Sequence, residues 1–241
     1  MTDSRNQTLH VLPGAAAMAK FAASRWLELL GRRNPGHPFT VALSGGRTPR
    51  TLYLETVKRA KDKHVSFDDV HFFWGDERCV PPDDTESNFQ IAAEHLFAPL
   101  RIAEEQIHRI KGECDETFAV NQAESEICRV AELNGDGQPV LDLVFLGMGE
   151  DGHVASLFPN DTEAFENHAV YRAVTGPKPP PRRITLGYPA LVEARAVWVL
   201  VPGESKTDIL RASIADDNST PLARVLSSRT HTEIFTDFDL A

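Results

Sequence analysis

The stretch Val41-Ala42-Leu43-Ser44-Gly45-Gly46-Arg47-Thr48-Pro49 begins as an apolar run and turns at two glycines into the start of a helix. Glycines let the backbone approach a ligand closely, and Thr48 followed by Pro49 is typical of an N-cap with proline at the first helical position. The free N–H groups and the dipole of a helix start attract anions. The stretch therefore predicts a strand, an anion-binding turn and a helix; a tight turn without a ligand is the alternative for the two glycines alone. The candidate binding residues of this turn are Ser44, Gly45, Gly46 and Arg47.

Similar apolar runs, rich in β-branched and aromatic residues, occur on both sides of this stretch and alternate with helical patterns. The alternation predicts an α/β fold: a mainly parallel, doubly wound, Rossmann-like sheet with helices on both faces. We expect a single domain over residues 1–241, with a stiff, exposed loop at the proline-rich residues 176–181. The predicted strands are residues 8–12, 39–43, 70–74, 141–146, 196–201 and 232–235, and the predicted helices are residues 15–30, 48–60, 88–96, 117–133 and 206–214.

Composition and charge restrict the class of protein. The formal net charge of −10 repels nucleic-acid phosphates, which argues against nucleic acid as a partner but not against a small anion held by local cations. No apolar run approaches the roughly 20 residues of a membrane helix, and the polar start of the sequence predicts no signal peptide. Three cysteines without a Cys-x-x-Cys pair indicate neither a disulfide framework nor a zinc cluster. We therefore expect a cytoplasmic protein, not associated with membranes, that is a monomer or a small homo-oligomer.

A second polar cluster, Gly75-Asp76-Glu77-Arg78, follows the predicted strand 70–74. Acids and an arginine at the carboxyl end of a strand lie where ligands bind in parallel α/β sheets. Asp76 and Arg78 are therefore candidate substrate-binding residues, with a solvated turn as the alternative. For Ser87 we favour a structural role, as the cap of the predicted helix 88–96.

The third cluster, Gly147-Met148-Gly149-Glu150-Asp151-Gly152-His153, follows the predicted strand 141–146. Its glycines match the dinucleotide pattern G-x-G-x-x-G. A dinucleotide site, however, needs a sustained helix after the glycines and an acid at the end of a second strand roughly 20 residues further on. Pro159 limits the following helix to little more than one turn, and no strand precedes Glu166. We therefore reject the dinucleotide interpretation.

The same loop places a histidine beside a carboxylate. Histidine, with an ordinary pKa near 6.5, can activate water at neutral pH, and Asp151 or another carboxylate can fix its tautomer. Backbone N–H groups of the loop are expected to receive an oxyanion. His153 and Asp151 are thus candidate catalytic residues, and Gly149 is a candidate binding residue. The other eight histidines are assigned no role.

Two cations lie on either side of the predicted strand 196–201. Arg183 precedes this strand and Lys206 follows it. Each cation alone would be interpreted as a solvated surface charge. Lys206, however, comes after a strand, a glycine and a helix start, which is the arrangement expected of a second phosphate clamp.

Together these motifs resemble, in order and spacing, the 6-phosphogluconolactonase family, which shares its fold with glucosamine-6-phosphate deaminase. The resemblance implies that Ser44, Gly45, Arg183 and Lys206 hold a sugar phosphate, as the matching residues do in deaminases. It also implies that Asp151-Gly152-His153 lies at the C1 end of the sugar. The matching stretches span nearly the whole chain and are residues 43–49, 74–81 with Ser87-Asn88, 147–159, 183–185 and 203–206.

One position separates the two relatives. Deaminases continue the histidine motif as His-Ile-Ala-Phe-Asn-Glu-Pro, with a glutamate five residues after the histidine that helps to open the sugar ring. This chain has Phe158 at that position, and a phenylalanine cannot transfer a proton. Lactonases typically read Gly-His-Thr-Ala-Ser-Leu-Phe-Pro, from which this chain departs only by Val154. The resemblance therefore favours a lactonase.

This resemblance implies hydrolysis of 6-phospho-D-glucono-1,5-lactone to 6-phosphogluconate. In this interpretation the anchored 6-phosphate presents the lactone carbonyl to His153, which takes a proton from the attacking water. Arg78 is expected to close over the substrate or to stabilise developing charge, and the role of Asp76 stays open. No metal, cofactor or covalent intermediate is expected, and the nucleophile elbow G-x-S-x-G is absent from the sequence. The alternatives are a deaminase or isomerase, a non-catalytic sugar-phosphate sensor and a nicotinamide dehydrogenase.

Overall fold

The computed structural model describes residues 7–33, 36–215 and 220–240, along which strands and helices alternate. The strands are β1 (Gln7–Val11), β2 (Phe39–Leu43), β3 (Val70–Trp74), β4 (Asp76–Arg78), β5 (Glu132–Leu133), β6 (Pro139–Val140), β7 (Leu143–Gly147), β8 (Tyr171–Thr175), β9 (Arg182–Leu186), β10 (Val197–Val201) and β11 (Thr232–Thr236). The helices are α1 (Ala15–Leu30), α2 (Arg47–Lys63), α3 (Asn88–Ala92), α4 (Ala98–Leu100), α5 (Glu116–Val130), α6 (Glu163–Glu166), α7 (Tyr188–Glu193), α8 (Thr207–Ala215) and α9 (Pro221–Ser227).

The six strands that the sequence predicts form one parallel sheet in the order β1-β11-β10-β7-β2-β3. All residues of β2 and of β10 are buried, as expected of strands that are covered on both faces. Helices α1 and α2 pack against each other, and α7 and α8 both contact α9. The predicted α/β fold with a mainly parallel sheet is confirmed.

The direction in which the chain winds across the sheet reverses between the neighbouring strands β2 and β7. From β2 the chain continues to the edge strand β3, whereas from β7 it continues in the opposite direction to β10 and then β11. A crevice forms at the carboxyl ends of two such strands, because their connections leave in opposite directions. The loops after β2 and β7 carry Ser44 and His153, so the first and third sequence motifs both lie at this crevice.

Helix α1 shows how the sequence attaches a helix to the sheet. Met18, Ala22 and Trp26 recur every four residues and are fully buried, which gives the helix one apolar face. The ring of Trp26 packs edge-on against Phe145 of β7, with 5.0 Å between ring centroids. Burial of aromatic surface at this contact holds α1 on the sheet.

Helix α2 begins one residue earlier than predicted, and its cap is a different residue. Gly46, with φ of 93°, directly precedes the first helical residue Arg47, and the carbonyl of Gly46 accepts the N–H of Arg50 at 3.2 Å. The predicted N-cap role of Thr48 is therefore wrong, because a glycine in the left-handed region already turns the chain into the helix. Pro49 is tolerated because the first N–H groups of a helix have no intrahelical partner.

Three other predicted helices differ from the observed ones. The predicted helix 88–96 consists of α3, capped by Ser87 as expected, and the start of a π-helical segment, Ala93–Phe97. The predicted helix 117–133 ends as α5 at Val130, because the next residues form β5, which pairs antiparallel with β6. The predicted helix 206–214 begins after a 3₁₀ turn, Glu204–Lys206, and continues as α8.

The sequence does not predict the second sheet, in which β4, β9 and β8 pair antiparallel. Strand β4 has only three residues and β9 begins with two arginines, so neither shows the apolar run of a central strand. The register of the β4–β9 pair places Arg78 directly opposite Arg183. The predicted loop 176–181 connects β8 to β9, with a hydrogen bond of 2.7 Å from the N–H of Gly176 to the carbonyl of Pro181.

Across the described helices, none combines the length and the apolar character that a membrane crossing requires.

Candidate active site

A pocket of about 190 Å³ opens at the carboxyl ends of β2 and β7. It brings together all of the residues that the sequence predicts for the site except Gly46 and Asp151, which lie beside it. The residues that line it are Ser44, Gly45, Arg47, Thr48, Pro49, Asp76, Arg78, Asn88, Gly147, Met148, Gly149, His153, Ala155, Arg183, Leu200 and Lys206.

The loop between β2 and α2 forms one wall of this pocket. Ser44 is buried, and its carbonyl accepts a hydrogen bond of 2.6 Å from the hydroxyl of Tyr53, which ties the loop to α2. After it the chain turns at Gly46 into the helix, so the first helical N–H groups lie beside the pocket without intrahelical partners. This geometry suits an anion, as the sequence pattern indicates.

Cations without an ion-pair partner form a second feature of the pocket. None of the ion pairs among the described residues involves Arg47, Arg183 or Lys206. The guanidinium of Arg183 donates instead to the carbonyls of Pro180 and Lys178, at 3.1 and 3.3 Å, and the ammonium of Lys206 donates to the carbonyl of Met148 at 2.5 Å. These side chains therefore carry positive charge that a bound anion can neutralise.

Burial shifts the pKa values of Lys206 and Arg183 in the same direction. Burial lowers the pKa of Lys206 from its ordinary value, and the nearby Glu150 opposes this shift. Burial also lowers the pKa of Arg183, and the like charge of Arg78 across the β4–β9 pair lowers it further. Desolvated positive groups gain more from an anion than exposed ones do, so both shifts point to the same ligand class.

Arg78 is the fourth cation of the pocket, and unlike the other three it forms an ion pair with a described residue. Its Nη1 donates to the carbonyl of Glu86 at 2.8 Å and lies 3.5 Å from the Glu86 carboxylate. No hydrogen-bond acceptor among the described residues lies within reach of its buried Nε. Arg78 is thus held at the rim of the pocket through one guanidinium nitrogen, Nη1.

His153 and Asp151 form a hydrogen-bonded pair. The Nδ1 of His153 lies 2.5 Å from Oδ1 of Asp151, and the backbone N–H of His153 donates to the same oxygen at 3.3 Å. A carboxylate can only accept, so Nδ1 carries the proton and Nε2 keeps its lone pair. Burial raises the pKa of Asp151, but the hydrogen bonds from the ring and the backbone N–H of His153 lower it, and the net shift is downward. The carboxylate that orients the histidine therefore stays ionised.

Backbone hydrogen bonds hold the loop that carries this pair. Gly149 donates its N–H to the carbonyl of His153 at 2.9 Å, and Gly152 donates to the carbonyl of Gly149 at 3.1 Å. The N–H groups of Gly149, Gly152 and His153 are therefore occupied within the loop. Cationic side chains of the pocket can also receive negative charge.

The loop after β7 also bears on the rejected dinucleotide pattern. Between β7 and α6 the described chain contains no helix, and α6 has only four residues. A dinucleotide site needs a sustained helix directly after the glycines, so the geometry agrees with the rejection.

Gly149 has no side chain because the histidine ring takes that space. A Cβ on Gly149 would lie 2.2 Å from Nδ1 of His153 and 2.7 Å from Oδ1 of Asp151. We expect Gly149→Ala to push the imidazole out of place and to lower kcat about tenfold, with normal folding. Gly135→Ala, at a turn where a Cβ meets no atom within 4 Å, is the matched control. Steady-state kinetics and thermal unfolding of both variants test this, and equal kcat values would contradict it.

Asp76 lies deep in the pocket and is almost fully buried. Its Oδ2 accepts the hydroxyl hydrogen of Ser156 at 2.7 Å, which joins strand β4 to the loop after β7. The adjacent Glu77, to which the sequence assigns no role, does not line the pocket and accepts the N–H groups of Arg78, Asn88 and Phe89. Burial raises the pKa of Glu77 to about 7, and the three N–H donors limit that rise. Glu77 therefore anchors the start of α3 beside the pocket.

The sequence analysis misses several lining residues. Asn88 is the most informative, because its amide faces Asp76 on one side and Gly45 on the other. The only signal for it was its place in the Ser87-Asn88 pair after the acidic cluster. Met148, Ala155 and Leu200 are apolar lining residues whose types alone indicate no chemistry.

The parallel sheet, with a cationic pocket and an oriented histidine at its switch point, defines an α/β protein built to bind and act on a small anion. A family model described as glucosamine-6-phosphate isomerases/6-phosphogluconolactonase matches residues 13–235. The chain therefore belongs to the glucosamine-6-phosphate isomerase/6-phosphogluconolactonase family, and the resemblance drawn from its motifs is confirmed.

Individual relatives agree with this assignment. The 6-phosphogluconolactonase of Haemophilus influenzae is 36% identical over 204 residues, which cover 83% of this chain and 85% of the relative. That of Mycobacterium tuberculosis is 34% identical over 231 residues, which cover 90% of this chain and 91% of the relative. The solved structure of 6-phosphogluconolactonase from Trypanosoma cruzi matches with a TM-score of 0.82 at 27% identity, covering 97% of this chain and 95% of that one. The chain is thus an enzyme of this family.

Proposed function

We propose that this enzyme hydrolyses 6-phospho-D-glucono-1,5-lactone to 6-phosphogluconate, the lactone-opening step of the oxidative pentose phosphate pathway. The observation that carries the proposal is that the oriented His153 shares one small pocket with three cations that have no ion-pair partner among the described residues. A phosphorylated lactone combines an anion with a carbonyl that water can attack. The names of the relatives support the same substrate.

The phosphate is the anchor in this proposal. The 6-phosphate binds the start of α2, at Ser44, Gly45, Gly46 and Arg47, and the side chains of Arg183 and Lys206. Charge-assisted bonds to a phosphate are stronger than neutral ones, and a desolvated pocket strengthens them. Binding energy from this remote group fixes the lactone carbonyl in front of the histidine.

His153 is the general base in this mechanism. Nε2 takes a proton from water while the water oxygen bonds to C1, and the carbonyl electrons move to its oxygen. Asp151 stabilises the imidazolium that forms, as its ionised state allows. The tetrahedral centre then collapses, the bond from C1 to the ring oxygen breaks, and the imidazolium returns its proton to that oxygen. The pocket's positive side chains, Arg78 among them, stabilise the transient negative charge.

Phe158 argues against the related deaminase reaction. Its ring lies 5.0 Å from that of His153, centroid to centroid, where deaminases have a proton-transferring glutamate. An apolar ring at this place packs the catalytic histidine but cannot move a proton. Ring opening followed by loss of an amine lacks this participant here.

Three parallel incubations test the proposal. Purified protein is mixed with freshly prepared 6-phosphogluconolactone, with glucosamine 6-phosphate, or with glucose 6-phosphate and a nicotinamide cofactor. We expect acid release from the lactone well above its spontaneous opening, and no ammonia or reduced cofactor in the other two. Ammonia would indicate a deaminase, reduced cofactor a dehydrogenase, and binding without turnover a sensor.

The pH profile should show a single ionisation on its acid side. The lowered pKa of Asp151 keeps this carboxylate charged through the range near pH 6.5 in which imidazoles ordinarily titrate. Because the base must be unprotonated, kcat/KM should fall about tenfold per pH unit on the acid limb of the profile. Rates from pH 5 to 8, corrected for spontaneous hydrolysis, provide the measurement. A limb with a slope of two, or a flat profile, would contradict the assignment.

We further propose that the protein works in the cytoplasm as one domain over residues 1–241, in a monomer or a small homo-oligomer without nucleic acid. The net charge of −10 supports the last point, because it repels phosphate backbones at long range. The proposed mechanism requires neither a metal nor a cofactor.

A further inference from the structure

Asn88 carries an unsatisfied acceptor on the wall of the pocket. The residue is 1% exposed, and no hydrogen-bond donor of the described residues reaches its Oδ1. Leaving a buried amide oxygen without a partner costs free energy, so such a group in a folded protein calls for an explanation. Asn88 is also one of the residues that line the pocket.

Neighbouring groups fix the orientation of the amide. Nδ2 donates to the backbone carbonyl of Asp76 at 2.8 Å and lies 3.4 Å from its carboxylate. Both partners can only accept, so the nitrogen must face Asp76 and the oxygen must face the other way. There it lies against Gly45: a Cβ on that glycine would be 1.7 Å from Oδ1. The oxygen is thus held beside the loop that we propose to bind phosphate.

The chemistry of this wall differs from that of the rest of the pocket. Arg47, Arg183 and Lys206 can only donate, which suits the phosphate. Asp76 and Asn88 line the same pocket, and their side-chain oxygens accept hydrogen bonds, which an anion cannot donate. The hydroxyl groups of a sugar ring are neutral donors that suit such acceptors.

We propose that Asn88, with Asp76 beside it, accepts hydrogen bonds from ring hydroxyls of the substrate and so determines which phosphorylated lactones are hydrolysed. This inference rests on the proposed function and adds the part of the substrate that the cations and the histidine do not recognise. Rigid support suits such a role: Glu77 binds the N–H of Asn88 at 2.8 Å, and Ser156 holds the Asp76 carboxylate. A site built around a hydroxyl rejects analogues that lack it, because its own polar group is then left unpaired.

The test compares substrates within each variant. Wild type and Asn88→Ala are assayed on 6-phosphogluconolactone and on its 2-, 3- and 4-deoxy analogues, each made fresh. We expect wild type to lose at least about tenfold in kcat/KM on one of these analogues, and Asn88→Ala to show almost no further loss on that same analogue. The ratio of two substrates in one preparation cancels any difference in the folded fraction.

Ser156→Ala serves as the matched control, because it removes the other hydrogen bond to Asp76 without touching the Asn88 amide. If Asn88 acts only by holding Asp76, both variants will show the same pattern across the analogues, and the inference is overturned. It is equally overturned if Asn88→Ala loses activity in the same proportion on every lactone, or if wild type does not discriminate among the analogues. A wild-type enzyme without activity on 6-phosphogluconolactone would overturn the proposed function and this inference with it.

Discussion

Replacing His153 with alanine should lower kcat by a factor of about 10²–10⁴, the usual scale for the loss of a general base. The Nε2 atom of His153 is the only group in our mechanism that both takes the proton from water and returns it to the leaving oxygen. Without it, water must attack unassisted, although the cations still hold the phosphate. KM should therefore change much less than kcat.

Product binding and an unrelated histidine provide the controls for this variant. His153→Ala should still bind 6-phosphogluconate in a calorimetric titration, because the phosphate contacts are intact. His231 is exposed and lies just before β11, at the amino ends of the parallel strands, whereas the pocket lies at their carboxyl ends. His231→Ala should therefore keep full activity. Near-normal turnover in a folded His153→Ala enzyme would remove this histidine from the mechanism.

Lys206→Ala and Arg183→Ala should each lower kcat/KM for the phosphorylated lactone by about one to two decades. A charge-assisted hydrogen bond contributes roughly 1.5–3 kcal/mol, and neither cation has a carboxylate partner among the described residues that would compensate for its loss. The two side chains already donate to backbone carbonyls, so they are held in place before the phosphate arrives. Pre-organised contacts of this kind lose little entropy on binding.

Unphosphorylated gluconolactone separates recognition of the phosphate from catalysis. Its slow hydrolysis should be almost unchanged in both variants, because only the phosphate contacts are removed. Lys61→Ala, at the far end of the helix whose start faces the pocket, is the matched control and should leave both activities intact. Inorganic phosphate should compete with substrate in wild type, and more weakly as other salts are added. An equal loss on both lactones would show that these cations do not bind the phosphate.

Some of the site follows from short-range patterns. Asp151 and His153 are two residues apart in one glycine-rich loop, so a histidine–carboxylate pair is predictable from the sequence and is observed. The helix start after β2 is likewise a local feature, although glycine rather than Thr48 turned out to begin it. Which N–H groups of the loop after β7 are occupied could not be predicted, because their partners depend on how the loop folds back on itself.

Residue types and spacings of a few residues are enough to predict the six strands of the parallel sheet, the loops that follow them and the family resemblance. They do not predict that Arg78 lies opposite Arg183 in the β4–β9 pair, or that the amide of Asn88 lies against Gly45. These contacts join residues more than 40 positions apart, and the short, polar strand β4 has no apolar pattern from which they could be predicted. The spacing of apolar residues along a helix or strand indicates which of its faces is buried. Which polar groups meet in the pocket depends instead on how helices and strands that are distant in the sequence pack together.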